Sequence, residues 1–204
     1  RDSPGSKISK WDLSFEELGP AIAKPLAEYI AVAGALTSVD LSSNQLGPKG
    51  AKALIDGGAF KGALTSISLL GNNFDVEAAS MLLKVKEEKP NLRTLCGLTH
   101  EETQLNYHND GLGPADAMLI AAEISNMGEL TELNLYGNGM KDEGISAICE
   151  AIQSNEGSKL ASLNIGENGI SPVGAKAVAA MVAATGALTA IDVSYNRIDQ
   201  PSAL

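Results

Sequence analysis

The stretch Leu130-Thr-Glu-Leu133-Asn-Leu135-Tyr-Gly-Asn138-Gly-Met140 decides the fold, because its pattern returns along the 204-residue chain. The pattern is L-x-x-L-x-L-x-x-N-x-L, and recurrence at a fixed spacing is the signature of a repeat architecture. Two degenerate copies begin near Ile8 and Glu102. Full copies also occur at 36–46, 64–74, 160–170 and 188–198.

The second half of each unit repeats as well and predicts a helix. A small residue at the helix N-cap followed by proline at the first helical position is a typical helix start. Asp75 and Asp199 occupy the same cap position in other copies. Each unit is therefore predicted to be a short strand, a turn and one amphipathic helix. The small residue and proline pairs are Gly19-Pro20, Gly47-Pro48, Gly113-Pro114 and Ser171-Pro172.

This pattern resembles leucine-rich repeats, and the 28-residue unit with a full helix resembles their ribonuclease-inhibitor-like subclass. That subclass includes repeat arrays of nucleotide-sensing immune receptors and Ran GTPase activators, and similar repeats are common in algae and other protists. The resemblance implies an α/β solenoid, a curved horseshoe with parallel strands on the concave face and helices on the convex face. We expect a single array over 1–204, with frames starting near 8, 36, 64, 92, 102, 130, 160 and 188, the last one truncated.

The frame that starts at Leu92 is irregular, since the next frame begins only ten residues later at Glu102. Residues 92–101 form either a lone strand with a short crossover or a loop inserted into the array. We favour the strand, because neighbouring solenoid strands lie only about 5 Å apart. Both alternatives predict that no helix lies between Lys86 and Pro114.

The charge balance excludes several classes of partner. Fifteen Lys and Arg stand against 25 Asp and Glu, a net charge of −10. Nucleic-acid binding requires a basic surface, and anionic membranes would repel this chain. No apolar run approaches the roughly 20 residues of a membrane span. Two cysteines give no disulfide framework, which favours an intracellular, cytoplasmic location.

No catalytic motif occurs in the sequence, so we predict neither an enzyme nor a cofactor. A phosphate-binding Gly loop, Gly-x-Ser-x-Gly, His-Glu-x-x-His and Cys-x-x-Cys are all missing. Cys96, His100, His108 and Asp110 match no standard zinc spacing, which predicts no metal site. Cys149 occupies an apolar helix position and should be buried, whereas Cys96 lies in a concave row and could be exposed.

The asparagine at the ninth position of each frame lies where the chain turns away from the strand. Backbone groups buried there need partners, and an asparagine amide can both donate and accept hydrogen bonds. The resemblance implies a stacked, structural asparagine ladder rather than a ligand site. Its members are Asn44, Asn72, Asn138, Asn168 and Asn196.

The concave rows just beyond the strands are the best candidates for a binding site, since curved solenoids bind there. Aromatic and arginine side chains are enriched at binding hot spots. The polar and partly acidic strand positions suit a partner with basic or hydrogen-bonding groups. The candidate anchors are Leu70, His108, Tyr136, Tyr195 and Arg197.

These observations favour a non-enzymatic interaction scaffold that binds another protein. Binding would use the concave face or the irregular 92–110 segment, as one part of a larger assembly. Two alternatives follow from the resemblance alone. One is a GTPase activator resembling the Ran-specific class, and the other is the ligand-sensing array of a larger immune-type receptor.

Overall fold

The computed structural model describes residues 8–199, where strands of three residues alternate with helices. The strands are β1 (Lys10–Asp12), β2 (Ser38–Asp40), β3 (Ser66–Ser68), β4 (Gln104–Asn106), β5 (Glu132–Asn134), β6 (Ser162–Asn164) and β7 (Ala190–Asp192). The helices are α1 (Pro20–Val32), α2 (Gly47–Asp56), α3 (Val76–Glu88), α4 (Pro114–Ile124), α5 (Lys141–Ser154) and α6 (Pro172–Ala184). A short 3-10 helix spans Ala59–Lys61. The helix predicted to follow the cap position Asp199 lies outside the described residues.

The chain divides into two compact units, with the boundary between Leu98 and Thr99. The first unit holds a sheet in the order β1-β2-β3, and the second holds a sheet in the order β4-β5-β6-β7. All of these pairs are parallel, as the alternation of strands and helices requires. The predicted α/β class is confirmed, while a single array over the whole chain stays a prediction.

The strands pair in a regular register. Val39 lies opposite Ile67 in the first unit, and Leu105 lies opposite Leu133 in the second, each 28 residues apart. The β5–β6 pair is offset by 30 residues, with Leu133 opposite Leu163. The two additional residues lie in the segment from the start of α5 to β6. Helix α5 in this segment is 14 residues long.

Leucines hold the strand and helix layers together. Leu133 and Leu135 are fully buried, as are Leu119 and Ile120 of α4. A buried leucine contributes about 2 kcal/mol of burial free energy. The strand residues therefore alternate between the core and the exposed face of the sheet, which we call the strand face.

The helix starts follow the sequence signals. Proline occupies the first helical position of α1, α4 and α6. Asp75 caps α3, because its carboxylate accepts a hydrogen bond from the Ala78 amide at 2.8 Å. Ser171 caps α6 in the same way, through the Val173 amide at 3.1 Å.

The irregular segment after Leu92 joins the first unit at the edge of β3. The Ile67 amide donates to the Thr94 carbonyl at 3.1 Å, and the Leu69 amide donates to the Leu95 carbonyl at 2.9 Å. The pairing consists of two isolated bridges rather than a continuous strand, and residues 89–113 contain no helix. The expectation that Cys96 is exposed is wrong, since it is 6% exposed on this edge.

The asparagines that follow the strands bind backbone groups of two successive repeats. The amide nitrogen of Asn72 donates to its own repeat at the Leu69 carbonyl, at 3.0 Å. It also donates to the preceding repeat at the Leu41 carbonyl, at 2.8 Å. Its side-chain oxygen accepts from the Leu46 amide, and Asn72 itself is fully buried. Asn44, Asn138, Asn168 and Asn196 each bond two successive repeats in the same manner.

Replacing one of these asparagines should destabilise the protein strongly. In Asn168→Ala, the carbonyls of Leu135 and Gly166 each lose one of their two donors, and the Met140 amide loses its acceptor. An unsatisfied buried polar group costs about 1–3 kcal/mol and each lost hydrogen bond about 1 kcal/mol, so we expect a loss of about 3 kcal/mol. Urea denaturation followed by circular dichroism measures this free energy of unfolding.

The matched control is Asn126→Ala in the same unit. Asn126 is exposed, and its side-chain amide donates to the hydroxyl of the neighbouring Ser125. It should change the free energy of unfolding by less than about 0.5 kcal/mol. Equal stability of the two variants would contradict a structural role for Asn168.

Candidate functional site

Three aromatic rings meet on the strand face of the second unit. His108 and Tyr136 are stacked, with ring centroids 5.1 Å apart and an interplanar angle of 14°. Tyr136 also meets Tyr195 edge-to-face, with centroids 6.3 Å apart and an angle of 89°. Such geometries are favourable for aromatic pairs and add to the burial of ring area. We call these three residues the aromatic cluster.

The repeat register brings the cluster together. His108 and Tyr136 each lie two residues beyond a strand, and the strands pair 28 residues apart. The backbone continues the ladder at this point, because the Asn109 amide donates to the Tyr136 carbonyl at 2.9 Å. Rings at equivalent places in successive parallel repeats are therefore stacked on one another.

Gly166 provides the space that the cluster needs. It occupies the place of Tyr136 in the following repeat, next to the Tyr136 ring. A Cβ atom at Gly166 would lie 2.8 Å from Tyr136 Cδ2 and 3.1 Å from the Ser194 carbonyl oxygen. Any side chain here would displace the ring of Tyr136. The sequence signal for this role is a glycine in a row that otherwise carries larger side chains.

Tyr195 is displayed by a left-handed backbone conformation. Its φ is 56°, and the equivalent residues Asn109, Gly137 and Glu167 have φ values of 59°, 72° and 52°. The conformation therefore belongs to the turn of every repeat and is not particular to the tyrosine. It directs the side chain of Tyr195 outward, where it is 79% exposed.

Carboxylates surround the aromatic cluster. A hydrogen bond to Glu167 raises the pKa of the Tyr136 phenol, with smaller contributions from burial and from the negative charges of Glu167 and Asp192. Hydrogen bonds from Ser194 lower the pKa of Asp192, so this carboxylate stays charged at neutral pH. Glu132, Glu167 and Asp192 are all exposed.

A shallow groove of about 230 Å³ lies on the same face, across β5, β6 and β7. Glu132, Asn134, Asn164 and Asp192 are among the residues that line it. The side-chain oxygens of Asn134 and Asn164 accept hydrogen bonds from the backbone amides two residues later, each at 3.1 Å. These bonds fix the orientation of the two asparagine side chains in the groove.

The structure brings together three of the five candidate anchors, namely His108, Tyr136 and Tyr195. Arg197 is exposed but lines a different depression of about 530 Å³, next to Lys141, Asp142 and Glu143. Leu70 belongs to the first unit and is only 6% exposed. Its burial corrects the prediction that Leu70 is an exposed anchor.

The histidines and cysteines near the irregular segment lie in different environments. His100 Nε2 contacts Glu123 Oε2, and the Glu123 side chain is fully buried in α4. His108 belongs to the aromatic cluster, and its Nε2 atom lies 3.0 Å from the side-chain amide nitrogen of Asn109. Within residues 8–199, no group of three or more His, Cys, Asp or Glu side chains could hold a metal ion.

Neither cysteine forms a disulfide among the described residues, and both are buried, at 6% exposure for Cys96 and 1% for Cys149. Burial raises the pKa of the Cys149 thiol to about 12, with a smaller contribution from Glu150. We therefore expect both thiols to resist DTNB in the folded protein at pH 8 and to react fully in guanidinium chloride. Rapid reaction of one thiol in the folded protein would contradict the burial of that cysteine.

The fold defines this chain as a repeat solenoid of parallel strands and helices. Three segments match the Leucine Rich repeat family model, at residues 36–54, 130–149 and 158–179. Each matched segment contains a strand, the turn with its ladder asparagine and part of the following helix. These three segments are leucine-rich repeats, which together with the parallel strand and helix units confirms the predicted α/β solenoid fold.

A search of curated proteins gives no significant match to the chain. Among the described residues, none of the helices has the length and apolar character needed to span a membrane.

Gly166→Ala should break up the aromatic cluster without removing any of its rings. The added Cβ must push against the Tyr136 ring or the Ser194 backbone, and the exposed ring should move first. We expect loss of the nuclear Overhauser contacts between the rings of His108, Tyr136 and Tyr195. The control is Gly139→Ala, whose Cβ would make only an ordinary contact of 3.7 Å with Leu112. Retained ring contacts in Gly166→Ala would show that Gly166 does not limit the cluster.

Proposed function

We propose that this protein is a non-enzymatic scaffold that binds another protein through the strand face of its second unit. Leucine-rich repeats commonly mediate protein–protein interaction, which supports this class of function. The observation that carries the proposal is the aromatic cluster, in which the Tyr136 ring contacts both the His108 ring and the Tyr195 ring on an exposed face. Rigid aromatic side chains on an exposed face are the residues that most often dominate binding free energy.

We assign the repeats to the ribonuclease-inhibitor-like subclass, supported by the 28-residue offset of most strand pairs and by the full helix that follows each of β1 to β6. We also propose an intracellular, cytoplasmic location. The two cysteines support it, since they form no disulfide among the described residues and reduced cysteines persist in reducing compartments. The partner would be a protein and not a nucleic acid, since the chain carries a net charge of −10.

The proposal predicts that a partner depends on Tyr136 and Tyr195. The protein and its Tyr136→Ala/Tyr195→Ala variant serve as baits in an extract of the producing organism, and mass spectrometry identifies what is retained. We expect the variant to retain at least about tenfold less of a partner than the wild type does. The reason is that each of two hot-spot residues contributes about 2 kcal/mol to the free energy of binding.

The control variant Phe15→Ala/Tyr29→Ala removes two exposed aromatic side chains from the first unit. It should retain the partner, and circular dichroism should show that all baits are folded. If the Tyr136→Ala/Tyr195→Ala variant retains every partner of the wild type, the strand face is not the binding surface. The irregular 92–110 segment would then become the preferred candidate.

A further inference from the structure

We infer that the partner presents a basic, extended segment whose arginine or lysine side chains lie on the aromatic cluster and between the carboxylates of the strand face. This inference rests on the proposed function and specifies the chemistry of the partner. Three properties of the surface support it: its charge, the exposed ring faces and its dimensions.

The charge of the strand face in the second unit has one sign. This face is formed by the first and third residues of each strand and by the second and third residues after it. In the repeats of β4 to β7, the acidic residues at these positions are Glu132, Glu167 and Asp192. None of these positions holds a lysine or an arginine. Complementary charge steers association and selects the partner, so the face favours a cationic segment and repels an acidic one.

The exposed rings provide the second part of the recognition. A lysine or arginine within about 6 Å of a tyrosine ring is attracted to its face, and arginine is the more frequent partner. Tyr195 is 79% exposed, so its ring is open to such a contact. Glu167 lies near the Tyr136 phenol, whose pKa it raises, so its carboxylate can pair with the same cation. Ring and carboxylate together distinguish a basic side chain from a merely apolar one.

The dimensions of the surface fit a short extended peptide. Neighbouring strands are about 4.8 Å apart, so the three steps from β4 to β7 cover about 14 Å. An extended chain advances about 3.3 Å per residue, and about four or five residues therefore cross the face. Such a segment passes from His108 and Tyr136 to Tyr195, with the groove between Glu132 and Asp192 beside it.

Labelled model peptides test the charge requirement directly by fluorescence anisotropy. The probe is a fluorescein-labelled peptide of four Gly-Arg-Ser repeats, and the comparison peptides replace arginine by glutamine or by glutamate. We expect the arginine peptide to bind the whole protein about tenfold more tightly than the glutamine peptide. Binding of the glutamate peptide should be undetectable, and raising the salt should weaken binding of the arginine peptide.

Two sets of substitutions locate the binding surface on a chain that is acidic overall. The triple variant Glu132→Gln/Glu167→Gln/Asp192→Asn should weaken arginine-peptide binding about tenfold. The control Glu87→Gln/Glu88→Gln/Glu150→Gln changes the net charge equally on exposed helix positions and should alter binding less than about twofold. Tyr136→Ala/Tyr195→Ala should also weaken binding, which separates ring recognition from general electrostatic attraction.

The inference is overturned if the glutamine and arginine peptides bind equally, or if the two triple variants weaken binding equally. The second result would show attraction to overall charge rather than recognition by this face. A partner that depends on Tyr136 and Tyr195 but tolerates the strand-face triple variant would leave the proposed function intact and refute the basic segment. Loss of that partner in both the tyrosine and the strand-face variants, with retention in the helix control, supports the inference.

Discussion

The side-chain amide of the ladder asparagines, which follow five of the seven described strands, is the interaction on which the rest of this structure depends. A strand of three residues is followed at once by a turn, and the turn leaves carbonyl groups inside the protein. Asn138 donates to the Leu135 carbonyl of its own repeat and to the Tyr107 carbonyl of the preceding repeat. Because one side chain bonds two repeats, it fixes the step between them as well as the turn.

The same constraint determines which residues can meet on the strand face. The residue before each ladder asparagine adopts a left-handed conformation, as Ser43, Glu167 and Tyr195 show. The residue one place earlier continues the parallel ladder, so its side chain lies over that of the next repeat. His108 and Tyr136 are stacked for this reason, and Gly166 leaves the space in which Tyr136 meets Tyr195. The aromatic cluster is therefore assembled from residues far apart in sequence without any local motif.

Most of the fold was predictable from the sequence, because the frame repeats and each element has a local signal. The asparagine and leucine positions predicted the turns, and the proline or aspartate at the caps predicted the helices. The rows also predicted His108, Tyr136 and Tyr195 as neighbours on one face. What periodicity could not predict is which members of a row are covered.

Leu70 and Cys96 occupy row positions that point outward in an ideal repeat, yet both are buried. Cys96 is buried because the irregular segment bonds the edge of β3, an interaction that no repeat pattern specifies. Glu123 is similar, since a charged residue in a predicted amphipathic helix is expected to be solvated. It is buried and contacts His100, from a segment with no helix of its own. Departures from the repeat thus occur where long-range contacts replace the missing helix.

The two units show how one backbone can carry surfaces of different chemistry. In the first unit, the serines that follow β1 and β2 bind the nearest carboxylates, with Ser14 and Ser42 hydroxyls 2.6 Å from Asp12 and Asp40. These short local bonds hold the two acidic side chains beside their own strands. The equivalent places after β4 and β5 hold His108 and Tyr136, whose rings present large rigid faces. Since the backbone register is the same in both units, this difference in surface chemistry comes from side chains at a single row rather than from the fold.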